Sequence, residues 1–111
     1  MDLFNVIITP RAKSMLDQLV CYLEVKKQSP QSADNVFIDA LETGDQLKTL
    51  ADSFGYCDDL DLQRMGFRKL KFIHHDYILI YRVDGTNAVV EAFYHQSQDY
   101  EHVFSKEIGI V

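Results

Sequence analysis

The spacing of apolar residues changes once along this chain, and that change limits the fold more than any other feature. Between residues 12 and 51, apolar side chains recur at steps of three and four, which is the period of a helix with one buried face. From residue 67 onward the step is two, and the segment is rich in Phe, Tyr, Ile and Val, as in half-buried strands. The pattern predicts a helical part followed by a sheet.

Two helix starts are marked in the helical part. A Ser or Thr followed by Pro stands at residues 9–10 and again at residues 29–30. Ser and Thr cap helix N-termini, and Pro suits the first helical position because its missing N–H would be unpaired there anyway. We predict helices over about residues 10–27 and 30–51. Since the link between them is short, they are expected to pack antiparallel as a hairpin.

The strand signals complete an α+β pattern. A short β-branched run precedes the helices, and three runs of period two follow them, at residues 4–8, 67–74, 77–83 and 88–95. Asp84-Gly85 is a hairpin signal, because Gly accepts the positive φ of a tight turn. Residues 97–108 are expected to form a short C-terminal helix. The predicted order is β-α-α-β-β-β, an antiparallel sheet with the helical hairpin on one face.

The acidic segment between the helices and the later strands is predicted to be an exposed loop. It covers residues 52–65 and contains Gly55 and the run DDLD. The carboxylates lack the glycine and the regular oxygen spacing of a calcium loop, so solvation is the expected role.

Length and composition indicate one domain over residues 1–111, with 47% hydrophobic residues to build a core. No apolar run approaches the roughly 20 residues of a membrane span, and the start lacks a signal-peptide pattern, so a cytoplasmic protein is expected. Cys21 and Cys57 show no metal-site spacing and are expected to be reduced thiols, with Cys21 partly buried. Neither a metal nor a cofactor is predicted.

Charge is unevenly distributed along the chain. The net charge of −6 argues against broad, non-specific binding to nucleic acid. Residues 64–82 nevertheless contain a single acid, Asp76, and five basic residues, namely Arg64, Arg68, Lys69, Lys71 and Arg82. A protein that is acidic overall can therefore still hold a local anion site in this basic segment.

Several short motifs gain meaning from their order and spacing. The longest covers residues 77–85 and reads YILIYRVDG; it follows the arginine-bearing strand FRKL at residues 67–70. ITPRA precedes both at residues 8–12, and Tyr94-His95 with Asp99 closes the series. Together they resemble the RelE/ParE superfamily of bacterial toxins, and ParE more closely than RelE.

The resemblance implies a cytosolic toxin that is neutralised by a cognate antitoxin, in a heterotetramer or a larger complex. RelE-like members are ribonucleases that cut messenger RNA, usually on the ribosome. ParE-like members bind DNA gyrase and have no catalytic activity of their own. A third interpretation is an inactive member that only binds a partner.

A ribonuclease of this kind would use Lys69 and Lys71, which match the paired lysines of RelE-like enzymes, together with His95 and Arg68. Such residues would hold the phosphate and move protons during cleavage. The resemblance also implies an arginine early in the third strand, where this chain has Ile78. The chain therefore fits the gyrase-binding interpretation better than the catalytic one.

The ParE-like interpretation has a departure of its own, because Gln98 stands where the resemblance implies a terminal arginine. Under this interpretation the cationic and histidine side chains would bind a partner, and an antitoxin segment is expected over the sheet face that bears the two lysines. The candidate partner-binding residues are Arg68, Lys69, Lys71, Arg82 and His95. Whether they converge depends on strand register, since a shift of one residue reverses the face.

Overall fold

The computed structural model describes residues 1–110. In chain order, its elements are β1 (Asn5–Ile8), α1 (Pro10–Val25), α2 (Pro30–Asp45), α3 (Leu47–Leu50), α4 (Leu60–Arg64), β2 (Phe67–Lys71), β3 (Tyr77–Asp84), β4 (Asn87–His95) and α5 (Tyr100–Glu107). The α+β class, the helical hairpin and the C-terminal helix predicted from the sequence are confirmed. No helix within the described residues has the length and apolar character to cross a membrane.

The second helix is shorter than predicted. It ends at Asp45, and the apolar residues that continue its pattern belong to the separate turn α3. The N–H of Gln46 bonds to the carbonyl groups of Thr43 and Gly44, which tightens the chain at this point. The tighter turn places Leu47 in the core, where it is fully buried. Periodicity alone could not reveal the break, because Leu47 and Leu50 keep helical spacing on both sides of it.

The sheet is mixed, whereas the sequence predicted a wholly antiparallel one. Its strand order is β1-β4-β3-β2. The pairs β2–β3 and β3–β4 are antiparallel, as the turn signals indicated, but β1 runs parallel to β4 with Asn5 opposite Asn87. Turn residues determine only neighbours joined by a short loop. The partner of β1 is set instead by the helical crossover that follows it.

Alternate residues of β3 enter two separate cores. On the face covered by α1 and α2, Leu79 and Tyr81 pack with a cluster that includes Leu16. On the opposite face, Ile78 and Ile80 pack beneath α5, in a cluster whose other buried members are Cys57, Leu62, Phe67, Ala92, Tyr94 and Phe104. The sheet therefore carries helices on both faces, although the hairpin covers only one.

The segment predicted as an exposed loop is partly structured and partly buried. It contains α4, and both Cys57 and Leu62 are fully buried. Its residues 55–57 run along the free edge of β2, where the N–H of Cys57 donates to the Phe67 carbonyl at 3.0 Å. The acidic run suggested solvation, but the apolar residues between the acids turn inward. Cys21 differs in the opposite sense: it was expected to be partly buried and is exposed on α1.

Candidate functional site

Lys69 lies at the centre of a cluster of carboxylates on the α5 face of the sheet. Its ammonium nitrogen is 2.8 Å from Asp58 Oδ2 and 3.1 Å from Glu101 Oε2, and it donates to the Tyr100 hydroxyl at 3.4 Å. The side chains of Lys69 and Glu101 are 24% and 14% exposed. We call Lys69, Asp58, Glu101 and Tyr100 the Lys69 cluster. It joins β2, the loop before α4 and α5.

Glu101 has a second set of contacts that fixes the cluster in place. Its two carboxylate oxygens accept the backbone N–H groups of Asp58 and Asp59, at 3.1 and 2.8 Å. Asp59 is the N-cap of α4, and its own carboxylate accepts the N–H of Leu62. The carboxylate of Glu101 is therefore held by backbone donors as well as by Lys69.

The electrostatics of the cluster keep Lys69 protonated. Burial by itself would lower the pKa of Lys69, but the hydrogen bonds to Asp58 and Glu101, with the charge of Glu101, raise that pKa above its usual value. A lysine in this state cannot act as a base near neutral pH. Its charge is also balanced by two carboxylates rather than left free for a phosphate group.

Lys71 shares the face of Lys69, because residues two apart on a strand point the same way. It lies at the end of β2, opposite Ile78, and is exposed. Ile78 is buried in the core beneath α5. An arginine at position 78 would place a charged side chain in that apolar core. The core packing of β3 therefore explains why this position holds an apolar residue.

Arg68 points to the other face and holds the loop that precedes α4. Its guanidinium donates to the Phe54 carbonyl and, at 2.8 Å, to the Tyr56 hydroxyl. It also stacks 4.0 Å from the centre of the Tyr56 ring. These contacts use the Arg68 side chain to position its own chain.

Arg82 is also engaged internally, on the same face as Lys69. Its Nε donates to Glu91 Oε2 at 3.1 Å, and its guanidinium lies 3.7 Å from the Asp84 carboxylate. Glu91 lies at the irregularity where the β3–β4 register shifts. The arginine thus pairs with acids from both of the strands that it bridges.

His95 ends β4 and stands opposite Tyr77, whose ring it meets edge-on at 5.1 Å. The Nδ1 atom of His95 accepts the backbone N–H of Ser97 at 3.0 Å, and the backbone N–H of His95 donates to the side-chain oxygen of Gln98. Tyr77 packs against the hairpin core. Residues opposite each other on paired strands share a face of the sheet, so His95 lies on the face opposite Lys69.

The strand register thus divides the five predicted site residues between the two faces. Lys69, Lys71 and Arg82 share the α5 face, while Arg68 and His95 belong to the hairpin face. No group of three or more His, Cys, Asp or Glu residues that could hold a metal occurs within residues 1–110.

Sequence reasoning missed the carboxylates of the Lys69 cluster and a surface on α2. Asp58 and Glu101 are far apart in sequence, and no local pattern links them to Lys69. On α2, the apolar side chains of Phe37, Ile38 and Leu41 are exposed to solvent. The helical spacing of Phe37 and Leu41 suggested burial, and only the position of the helix reveals that this edge of the stripe is uncovered.

Comparisons with known proteins agree with this architecture. Residues 6–100 match the family model described as the ParE toxin of the type II toxin-antitoxin system, parDE. Among solved structures, one described as the chromosomal ParDE TA system from P. aeruginosa superposes with a TM-score of 0.68 at 19% identity. The match covers 84% of this chain and 96% of that chain, and it supports the fold. No curated protein gives a significant match. Because the family model covers most of its length, the chain belongs to the ParE toxin family of type II toxin–antitoxin systems.

Proposed function

We propose that this toxin acts in the cytoplasm by binding DNA gyrase, without catalysis of its own, and that a cognate antitoxin neutralises it. Membership of the ParE family supports a toxin. The solved ParDE system to which the chain is similar supports a partner antitoxin. The observation that carries the non-catalytic part of the proposal is the pairing of Lys69 with two carboxylates.

Cleavage of RNA through its own 2′-hydroxyl needs a base, an acid and cations that hold the phosphate as charge develops. Lys69 is protonated and neutralised by Asp58 and Glu101, so it offers neither a base nor a free positive charge. His95 lies on the opposite face, away from the two lysines. These placements favour binding over catalysis.

The surroundings of Lys69 would also repel a nucleic acid. A groove of about 380 Å³ beside it is lined by Asp58, Asp59, Asp99 and Glu101. RNA approaching this face would bring its phosphates against those carboxylates, with unfavourable electrostatic energy. A protein partner with basic or neutral side chains meets no such barrier.

The five candidate residues then have unequal roles in partner binding. Lys71 is exposed at the end of β2, and we propose that it contacts the partner directly. Lys69, Arg68 and Arg82 are engaged with neighbouring residues of this chain and shape the surface around it. His95 holds the turn after β4 through Ser97.

The proposal is tested by producing the chain alone in a bacterium and by adding the purified protein to gyrase. We expect growth arrest, an induced DNA-damage response and intact messenger RNA, together with loss of plasmid supercoiling by gyrase in vitro. Cleaved messages with unaffected gyrase would refute the proposal and make the chain a ribonuclease. Unhindered growth with unaffected gyrase would refute it in favour of a member that only binds a partner.

Lys71→Glu provides a variant for the same assays. We expect weaker growth arrest and weaker inhibition of gyrase, because the exposed cation becomes an anion. Lys26→Glu, which makes the same change of charge just after α1, is the matched control and should leave both unchanged. Equal effects of the two variants would assign the result to net charge and remove Lys71 from the proposed contact.

A further inference from the structure

An apolar surface is exposed on α2. Phe37, Ile38 and Leu41 are 40%, 51% and 49% exposed. They lie within four residues of one another on a single helix, so their side chains form one patch. Clustered exposed apolar residues of this kind mark interaction surfaces more often than scattered ones do.

Acidic residues flank the patch along the helix. Steps of four residues place Ile38 between Asp34 and Glu42, and Leu41 next to Asp45 in a parallel row. Asp34, Glu42 and Asp45 are all exposed, and α2 carries no Lys, Arg or His. Asp45 pairs with Lys48 at 3.0 Å, and Glu42 lies 3.5 Å from His74 Nε2. The exposed side of α2 is therefore apolar along its middle, with the Asp34 and Glu42 carboxylates on either side of Ile38.

A groove extends the patch toward β1. Its walls are Ile8, Leu16, Phe37 and Leu41, which enclose a largely apolar space of about 170 Å³. Lys13 and Asp17 also line the groove, and they pair with each other at 3.1 Å. Ile8 belongs to β1, the strand at the edge of the sheet, and is itself partly exposed. The groove gives the patch a depression that can receive a side chain from a partner, as anchor pockets do in other interfaces.

We infer that this surface, which we call the α2 surface, binds an amphipathic segment of the antitoxin whose apolar stripe is flanked by Lys or Arg. The inference rests on the proposed function, because it takes the antitoxin as the partner. The charges beside the patch favour a basic occupant, because an acidic segment would place its carboxylates against Asp34 and Glu42, whereas Lys or Arg can pair with them. The apolar stripe of the segment covers Phe37, Ile38 and Leu41 and reaches the groove beside Ile8.

Two synthetic helical peptides serve as probes of this chemistry. Both carry the same four-turn Leu/Ile stripe, flanked by Lys in one and by Glu in the other. We expect the Lys peptide to bind the purified full-length toxin at least about tenfold more tightly, by fluorescence anisotropy, and its advantage to shrink as salt is added. Equal binding, binding only of the Glu peptide, or no binding of either would overturn the inference.

A charge-swapped toxin locates the site. Asp34→Lys with Glu42→Lys should reverse the order of the two peptides. The control pair Asp52→Lys with Asp99→Lys changes net charge equally, at exposed positions away from α2, and should preserve the order. If both pairs act alike, the preference belongs to the whole molecule and the α2 surface is not the site.

The apolar contribution is tested separately. Replacing both Ile38 and Leu41 by Ser should weaken binding of the Lys peptide about tenfold, which corresponds to about 1.4 kcal/mol. Leu60→Ser, at an exposed apolar residue on α4, should not affect binding. Binding unchanged by the double variant would contradict the inference.

Failure of the inference and failure of the proposed function give different results. If the chain arrests growth and inhibits gyrase but binds neither peptide, only the α2 surface is wrong. If the Lys peptide binds selectively while growth and gyrase are unaffected, the proposed function is wrong and the surface still selects a basic partner.

Discussion

Glu101 connects more parts of the molecule than any other acid of the Lys69 cluster. It pairs with Lys69 on β2 and accepts two backbone N–H groups from the segment that leads into α4. Because it belongs to α5, a single carboxylate ties the C-terminal helix to the sheet and to the covered edge of β2. Loss of this carboxylate would leave Lys69 with Asp58 as its remaining charged partner and would remove the acceptor of the two N–H groups.

Glu101→Gln should therefore destabilise the protein by about 1–3 kcal/mol, as expected for a partly buried charge that loses its partner. Urea denaturation followed by circular dichroism measures the change. Glu24→Gln, at an exposed position on α1, is the control and should change the free energy of unfolding by less than about 0.5 kcal/mol. A Glu101→Gln variant as stable as the wild type would show that the cluster does not hold α5.

Asp39 plays a comparable part on the other side of the molecule. It is 1% exposed and accepts hydrogen bonds from His75 Nδ1 at 2.6 Å, the N–H of His74 at 3.0 Å and the Thr43 hydroxyl at 3.3 Å. The Thr43 hydroxyl in turn accepts the N–H of Ile73. Burial by itself would raise the pKa of Asp39, but the hydrogen bonds from His75, His74 and Thr43 hold it below the usual value.

A depressed carboxyl pKa makes stability depend on pH with a definite sign. The contribution of Asp39 is present above its unfolded pKa of about 3.9 and is lost as the pH falls through the lower folded value. Asp39→Asn should cost about 1–3 kcal/mol near neutral pH, and the difference from the wild type should shrink in acid. Urea unfolding at a series of pH values tests this, with exposed Asp52→Asn as the control. A difference that stays constant with pH would contradict the role given to the carboxylate.

At the scale of elements, the two long helices begin alike in sequence and differently in structure. Thr9 caps α1, because its hydroxyl accepts the N–H of Ala12 at 3.1 Å. Ser29 precedes α2 but makes no such bond, and its hydroxyl donates to Ser32 instead. The same sequence signal is therefore a working cap at only one of the two helices.

Thr9→Ala should lower the free energy of unfolding by about 1 kcal/mol, the usual cost of a lost N-cap. Ser29→Ala is the matched comparison and should cost less than about 0.5 kcal/mol, because no cap bond is removed. Thermal and urea denaturation of the two variants measure both effects. Equal losses would mean that the cap geometry does not determine the stability of α1.

Elements with local signals could be predicted from the sequence, and those set by distant contacts could not. The cap residues predict the start of α1, and Gly85 predicts the β3–β4 turn, where its φ is +60°. The parallel pairing of β1, the burial of Leu62 and the turn that separates α3 depend on parts of the chain that meet only after folding. The order of the elements followed from local signals, whereas the family resemblance supplied the expected function that those signals left open.

The candidate site shows the same division. Lys69 and Lys71 could be placed on one face from the period of a strand. That Lys69 is paired with Asp58 and Glu101 could not, because those acids come from a loop and a helix distant in sequence. The placement of His95 on the opposite face depends on register across two strand pairs, which no local motif determines.

At the scale of the whole molecule, the two cysteines differ in how accessible the fold leaves them to solvent. Cys21 is exposed on α1, whereas Cys57 is fully buried in the core beneath α5. Burial raises the pKa of the Cys57 thiol to about 12, so little of the reactive thiolate is present at neutral pH.

A thiol reagent should therefore label the native protein rapidly at one site and the denatured protein at two, as mass spectrometry can count. Cys21→Ser should leave the native protein nearly unlabelled, and labelling of Cys57 should then follow the opening of its core. Rapid labelling of Cys57 under native conditions would contradict a closed core beneath α5.

The first strand, β1, cannot pair with the rest of the sheet until the last strand, β4, has been synthesised. Since β1 pairs with β4, a polypeptide still emerging from the ribosome holds its N-terminal strand and helical hairpin without the sheet that they cover. Closure of that long loop must come late, and it completes the core on the hairpin face, which Phe4 and Val6 join. A translation product that terminates before β4 therefore cannot form the complete sheet. The cell is exposed to the folded toxin only after synthesis has passed β4.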